Sequence, residues 1–294
     1  MRSSSPADGM RRSKRASRQM AIAEAVVLAG TVRIEEIARH FGVSLMTAHR
    51  DLDSLQARGF LRKLHGVATA ISTTSVESGE FYRFFRQQRE KQEIAGSALS
   101  FLKAGQSVFF DDSTTVRYLA MKAVVRRPLS IITNSLPLMT ELAEVEEVAL
   151  IAIGGSYAPW CRAFLGRPAV EQISKLRADI AFVSTSAVTD DLCFHQSPEI
   201  VDTKRAMLES SKTRILLADH TKFEQRALHA FARLSEFDAV VVDRGVTDGD
   251  LQQLRSHGAN VLVAPTLDPS SGVKLPQAGT SGIRVREPSG GEDQ

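Results

Sequence analysis

The sequence predicts an α/β protein in two parts, an N-terminal winged helix-turn-helix followed by a mostly parallel-sheet α/β domain. Three observations carry this. Two amphipathic helical segments joined at a glycine lie between residues 33 and 56. Beyond residues 72 to 92, seven short apolar runs alternate with helical patterns, as they do when strands are covered by helices on both faces. Basic charge is concentrated at the N-terminal end: residues 1 to 70 hold 12 Lys and Arg against 6 Asp and Glu, the remainder 25 against 28. A phosphate backbone therefore suits the first part better than the second.

The bulk numbers narrow the class. A chain of 294 residues is long enough for two domains, the larger with a substantial core. With 43% hydrophobic and 24% charged residues, neither a disordered chain nor a membrane protein is expected. No apolar run approaches the roughly 18 to 20 residues that span a bilayer, and the basic N-terminus leads into no apolar segment, so a cytoplasmic protein without a membrane partner is expected. Cys161 and Cys193 are the only cysteines. They are too few and too far apart for a zinc ribbon or a disulfide framework, and are expected to be buried thiols; no metal and no cofactor are implied.

Residues 1–16 mix Ser, Gly and Pro with basic residues and read as a disordered tail. Arg11, Arg12, Lys14 and Arg15 could reach DNA as an arm or serve only solubility. Residues 17–71 are expected to form the winged helix-turn-helix. Ile34, Ile37, Ala38 and Phe41 make an apolar stripe at helical spacing, and Gly42 permits the sharp turn. Ser44 can cap a second helix whose inward face is Leu45, Ala48, Leu52 and Leu55. Its other face offers Ser44, Met46, Thr47, His49 and Arg50 to bases or phosphates, Arg50 foremost because its fork matches guanine or a phosphate. From Arg58 to Gly66 the pattern alternates as a two-stranded wing, placing Arg62, Lys63 and His65 as further DNA candidates, with Arg62 and Lys63 facing phosphates. The same helix pair could instead serve a protein contact.

Residues 72–92 read as a linker and helix start, 93–265 as an α/β effector-sensing domain, and 266–294, rich in Ser, Gly and Pro, as a flexible tail. Strands are expected at 107–110, 129–133, 148–153, 180–184, 214–218, 239–243 and 260–264. Helices are expected at about 80–103, 114–125, 136–145, 168–177, 199–211, 224–233 and 248–257. Asp111-Asp112-Ser113-Thr114-Thr115 leads from the first strand into a helix, where free backbone N–H groups and the positive dipole end can hold a phosphate. Thr133-Asn134-Ser135 repeats the arrangement after the second strand, and Gly154-Gly155 after the third lets a ligand approach the backbone. Each alone is more often a helix cap; three at successive strand C-termini point to the ligand edge of an open sheet.

These residues carry a resemblance. The run from Arg18 through ARHFGVSLMTAHRDLDSLQARGFLRKLHG resembles the N-terminal domain of the DeoR family of sugar-catabolism regulators, matching at Val43-Ser44, Thr47, Arg50-Asp51-Leu52, Gly59, Arg62, His65 and Gly66. His49 stands where that family has an arginine, and Val67 where it has a second wing glycine. The second part is similar to the family's effector domain, related in fold to ribose-5-phosphate isomerase and glucosamine-6-phosphate deaminase. Its matches are Asp111, Thr114, Thr115, Thr133-Asn134-Ser135, Gly154-Gly155, Gly166, Asp179, Phe182, Lys204, Asp219 and Lys222-Phe223. The resemblance implies a small phosphorylated sugar as effector, with Thr114, Thr115 and Ser135 on the phosphate and Asp111, Lys204, Asp219 and Lys222 lining the pocket. Ser113 replaces a glycine, and His220-Thr221 replaces small residues.

The reading is a DNA-binding regulator, a repressor of sugar-catabolism genes acting on a double-stranded operator. It is expected to be a homo-oligomer, dimer or tetramer, because one helix-turn-helix reads only a half-site, with residues 72–92 carrying the switch. The alternative is an isomerase or deaminase in which Asp111, Asp219, Lys204 and Lys222 move protons beside a carbonyl. A wing and recognition helix have no use in such an enzyme.

Overall fold

The computed structural model describes residues 15, 18–19, 21–23, 25–26, 29–57, 61–70 and 80–266. These divide into two compact units that meet in sequence between Arg86 and Gln87. The tail before Arg15, residues 58–60 at the start of the wing, most of the first half of the expected linker and the tail from 267 lie outside the described residues.

In the first unit, helical positions between 15 and 29 place Ile22, Ala23 and Val26 in the core. β1 (Thr31–Arg33) then buries Val32 between two exposed neighbours, and α1 (Ile34–His40) buries Ile34, Ile37 and Ala38. Gly42, at φ 62°, makes the turn, and the backbone there stays satisfied because Val43 N–H donates to Ala38 at 3.0 Å. α2 (Leu45–Ala57) buries Ala48, Asp51, Leu52 and Leu55. β2 (Leu61–Leu64) and β3 (Val67–Ala70) pair antiparallel and β1 joins β3, giving the order β1-β3-β2. His65 and Gly66 between them both have positive φ, the two-residue turn whose twist matches a hairpin. Val67 therefore begins β3 as an ordinary strand residue. Phe85, in α3 (Glu80–Phe85), joins the same core, where each large apolar side chain contributes about 1.5–3 kcal/mol.

Two expectations change here. Leu45, assigned to the inward face, is 46% exposed; as the first helical residue its side chain tilts toward the N-terminus, past the edge of the core. Arg15 is helical, and its Nε donates to Asp51 at 3.4 Å, so it belongs to the fold and not to a free arm.

In the second unit, α4 (Gln88–Ala98) opens after Gln87, a left-handed residue at φ 50°. The single helix expected over 80–103 is thus two helices, α3 and α4. β4 (Ser107–Phe110), α5 (Thr114–Ala123), β5 (Leu129–Thr133), α6 (Leu136–Leu142) and β6 (Val148–Ala152) follow. A small antiparallel hairpin, β7 (Ser156–Ala158) with β8 (Ala163–Leu165), precedes α7 (Arg167–Ser174) and β9 (Ala178–Ser184). Next come β10 (Ala187–Thr189), β11 (Leu192–His195), α8 (Pro198–Glu209), β12 (Ser211–Ala218), β13 (His229–Arg233), β14 (Ala239–Val242), α9 (Asp248–Ser256) and β15 (Val261–Val263). The seven expected strands form one sheet, ordered β15-β14-β12-β9-β4-β5-β6, and every pair in it is parallel. The chain moves outward from β4 through β5 and β6, then returns to β9 on the other side of β4, so the switch of direction lies between β4 and β9.

The helix expected over 224–233 is absent. Residues 229–233 form β13, which pairs antiparallel with β11, itself paired with β10. The stretch ALHAFARL favours a helix intrinsically, but Phe231, Ala232 and Leu234 are buried in a cluster with Cys193 and Val188, and tertiary pairing overrides propensity.

Candidate nucleic-acid interface and ligand site

On the first unit, Ser44 Oγ accepts the Thr47 N–H at 3.2 Å and bonds the Thr47 hydroxyl at 2.9 Å. Both predicted hydroxyls therefore serve the helix cap. Met46 is 71% exposed, Arg50 is exposed and His49 half-buried. Arg62 and His65 are exposed on the wing. Lys63 departs from expectation. Adjacent strand residues point to opposite faces, and the Lys63 ammonium turns to α2, where it pairs with Asp53 and lies 3.4 Å from His49 Nδ1. Its N–H donates to Gln56 Oε1 at 2.6 Å. Lys63 ties the wing to α2, and Arg62 alone of the pair faces solvent.

Asp51, on the same helix, is a buried anchor. It is 1% exposed and accepts from Arg18 Nε at 2.7 Å and Gln19 Nε2 at 2.9 Å, besides Arg15. The carboxylate thus fixes α2 against the N-terminal helical residues. Its signal was available: it sits between Ala48 and Leu55 on the inward stripe, where a charge needs a buried partner.

In the second unit, Asp111 ends β4 at the switch of direction and is fully buried. Its Oδ1 accepts the Ser113 N–H at 2.9 Å and the Ser113 hydroxyl at 2.5 Å. Its Oδ2 accepts the Ser184 N–H at 2.9 Å and pairs with Lys204 of α8, itself 2% exposed. Ser113 also caps α5 by accepting the Val116 N–H at 3.3 Å, so its hydroxyl is used within the fold. Thr114 and Thr115 are buried in the first turn of α5. Thr133 Oγ1 accepts the Ser135 N–H at 3.1 Å. Asn134 Nδ2 donates to the Phe164 carbonyl at 3.2 Å, while its buried Oδ1 has no hydrogen-bond partner among the described residues.

One glycine of the pair also has a packing reason. A Cβ on Gly155, at φ 146°, would lie 2.5 Å from the Leu165 carbonyl oxygen, and one on Gly154 would touch Gln172. Gly154 N–H donates to Gln172 Oε1 at 3.1 Å. Packing against β8 and α7 therefore requires glycine at 155, whereas a side chain at 154 would make only ordinary contact with Gln172.

Asp219 and Lys222 form a second cluster two strands from Asp111. Asp219 Oδ1 accepts the Thr221 N–H at 3.1 Å and bonds its hydroxyl, and Lys222 Nζ stands 4.0 Å from Oδ2. Burial would raise the Asp219 pKa, but Lys222, the Thr221 bond, Lys91 and His220 together hold it below the usual carboxylate value. Lys91, buried on α4, was not foreseen, although it lies on the stripe of Ile94, Ala95 and Ala98. His220 was noted only as a departure. Its N–H donates to Asp243 Oδ1 at 2.6 Å and its Nδ1 lies 2.8 Å from Oδ2, which also accepts the Gly245 N–H at 2.8 Å. Burial lowers the His220 pKa, yet the bond and charge of Asp243, with Asp219 and Glu90, raise it overall. A Cβ at position 245 would come within 2.4 Å of His220 Nδ1, so glycine is needed where the ring rests.

A cleft of about 280 Å³ opens between Val188–Asp190, the segment 223–226 and α9; none of the predicted effector residues lines it. Cys161 and Cys193 are buried, and burial pushes the Cys193 thiol pKa up. Among the described residues no helix is long and apolar enough to cross a membrane, and no group of His, Cys, Asp and Glu could hold a metal ion.

Comparison with known proteins places these units. The model of the DeoR-like helix-turn-helix domain matches residues 18–74, and that of the DeoR C terminal sensor domain matches residues 86–244. The chain is 32% identical over 214 residues to the transcriptional repressor AccR of Agrobacterium fabrum, covering 72% of this chain and 83% of that protein. It is 36% identical over 225 residues to the lactose phosphotransferase system repressor of Staphylococcus aureus, covering 76% and 89%. Among solved structures, ribose 5-phosphate isomerase A of Methanocaldococcus jannaschii aligns with a TM-score of 0.33 at 14% identity, over 45% of this chain and 53% of that one. With a DNA-reading head matched by one domain model and a parallel-sheet unit matched by the other, the chain belongs to the DeoR family of helix-turn-helix transcriptional regulators.

Proposed function

We propose that this regulator represses sugar-catabolism genes by binding a double-stranded operator as a homo-oligomer, and that a small phosphorylated sugar releases it. The observation that carries the DNA half is the side of α2 turned from the core, where Met46 and Arg50 are exposed and His49 half-buried, with Arg62 and His65 of the wing exposed as well. Ser44 and Thr47 contribute by capping α2, whose N-terminal backbone then lies at the groove. Two heads are needed for a two-fold operator, which favours a dimer or a pair of dimers. Action on DNA in the cytoplasm fits this reading.

The effector half rests on the strand ends. Asp111 at the switch between β4 and β9 occupies the place where open parallel sheets bind ligands, and Thr114, Thr115, Thr133, Asn134 and Ser135 surround the first turns of α5 and α6. Asp219, Lys222 and Lys204 supply charge. Names of relatives support a repressor, and one of them ties it to a lactose phosphotransferase system. A non-catalytic role is favoured because the chain carries a helix-turn-helix and wing, for which an isomerase or deaminase has no use.

Titration of operator DNA with and without each member of a panel of phosphorylated sugars and their unphosphorylated counterparts tests this. One phosphorylated sugar is expected to weaken operator binding, and Lys222→Ala to bind the operator normally while responding less. An operator affinity that no phosphorylated sugar changes, or a folded Lys222→Ala protein that has lost DNA binding, would refute the division of labour.

A further inference from the structure

We propose that Met46 reads the methyl group of a thymine in the major groove of the operator; this rests on the DNA reading given above. The inward face of α2 is complete without Met46, being made by Ala48, Leu52 and Leu55, yet Met46 keeps 71% of its surface in water. Lysine or glutamine would suit an exposed helix position as well, so neither the core nor helix propensity accounts for an apolar side chain here. The major groove displays donors, acceptors and one apolar group, the thymine methyl. Met46 stands in the first turn of α2, the part of a recognition helix that meets base edges.

Its neighbours sharpen the assignment. The Ser44 and Thr47 hydroxyls bond each other, so the polar side chains that flank Met46 in the first turn of α2 are already engaged. His49 and Arg50 lie three and four residues on, along the same face. Four residues of helix advance about 6 Å, or roughly two base-pair steps of about 3.4 Å. The thymine is therefore expected within about two base pairs of the group bound by Arg50.

An operator selected from a random duplex library with the intact protein supplies the probe, each thymine then being replaced by deoxyuridine, which removes only the methyl. At one position in each half-site the replacement is expected to weaken binding about fourfold, the equivalent of ~0.8 kcal/mol for one buried carbon. Met46→Ala, at an exposed helical site that any fold should tolerate, is expected to bind the thymine and uracil duplexes equally. The proposal is overturned if no replacement affects the wild-type protein while it still binds its operator, or if the penalty persists in Met46→Ala. If the library yields no preferred sequence, the DNA reading fails and this assignment with it.

Discussion

On α2 Met46 and Arg50 are exposed, and among the described residues the helix that carries them is their anchor. At the strand ends of the second unit Asp111, Thr115, Thr133, Asn134, Lys204 and Asp219 are all buried, and most of them are bonded to one another or to the backbone. The first surface is open to solvent; the second is largely engaged in its own contacts. A partner that bonded Asp111 would exchange with internal hydrogen bonds, which would couple its binding to the packing of β4, β9 and α8.

That contrast can be broken by substitutions on each side. Lys204→Met leaves Asp111 buried without its counter-charge and is expected to destabilise the second unit by about 3–5 kcal/mol in urea denaturation; a loss under 1 kcal/mol would mean the pair is not holding the strand ends together. Asp51→Ala removes a buried carboxylate from three donors, and a loss of about 1.5–3 kcal/mol is expected in the same measurement. A smaller effect would place the anchoring of α2 elsewhere.

Arg50→Ala sharpens the comparison from the exposed side. Its melting temperature should stay that of the wild type, since surface changes usually remain within about 0.5 kcal/mol. Operator affinity, read by fluorescence anisotropy, should fall by about 1–3 kcal/mol if Arg50 meets a base. The smallest effect concerns His220. Its folded pKa is raised above the ordinary 6.5, so the stability it contributes is complete below that value and is lost as pH rises through the folded one. The denaturation midpoint should decline as pH rises above the ordinary histidine value of 6.5, and His220→Gln should flatten that decline.

Much of the architecture was legible because its signals are local. Seven apolar runs became the seven parallel strands, and Ile34, Ile37 and Ala38 with Gly42 marked the helix-turn-helix. Signals that depend on distant partners were not: ALHAFARL reads as helix until β11 is beside it, and the hairpins β7–β8 and β10–β11 are three- and four-residue strands too short to show alternation. Lys63 looked like a phosphate contact because nothing in the wing itself reveals Asp53 across from it. Asp51 and Lys91 could have been found, since each is a charge on an otherwise apolar helical stripe. The His220–Asp243 pair could not, because β12 and β14 become neighbours only when β13 leaves the main sheet.

Asp111 joins the end of β4, the cap of α5, the end of β9 and a lysine of α8 through a single carboxylate. Heritable change in what this regulator responds to is therefore channelled away from that carboxylate: a mutation there alters folding before it alters preference. New responses should arise from less committed positions such as Lys222, which stands 4.0 Å from Asp219 and can be exchanged while the framework of strand ends persists.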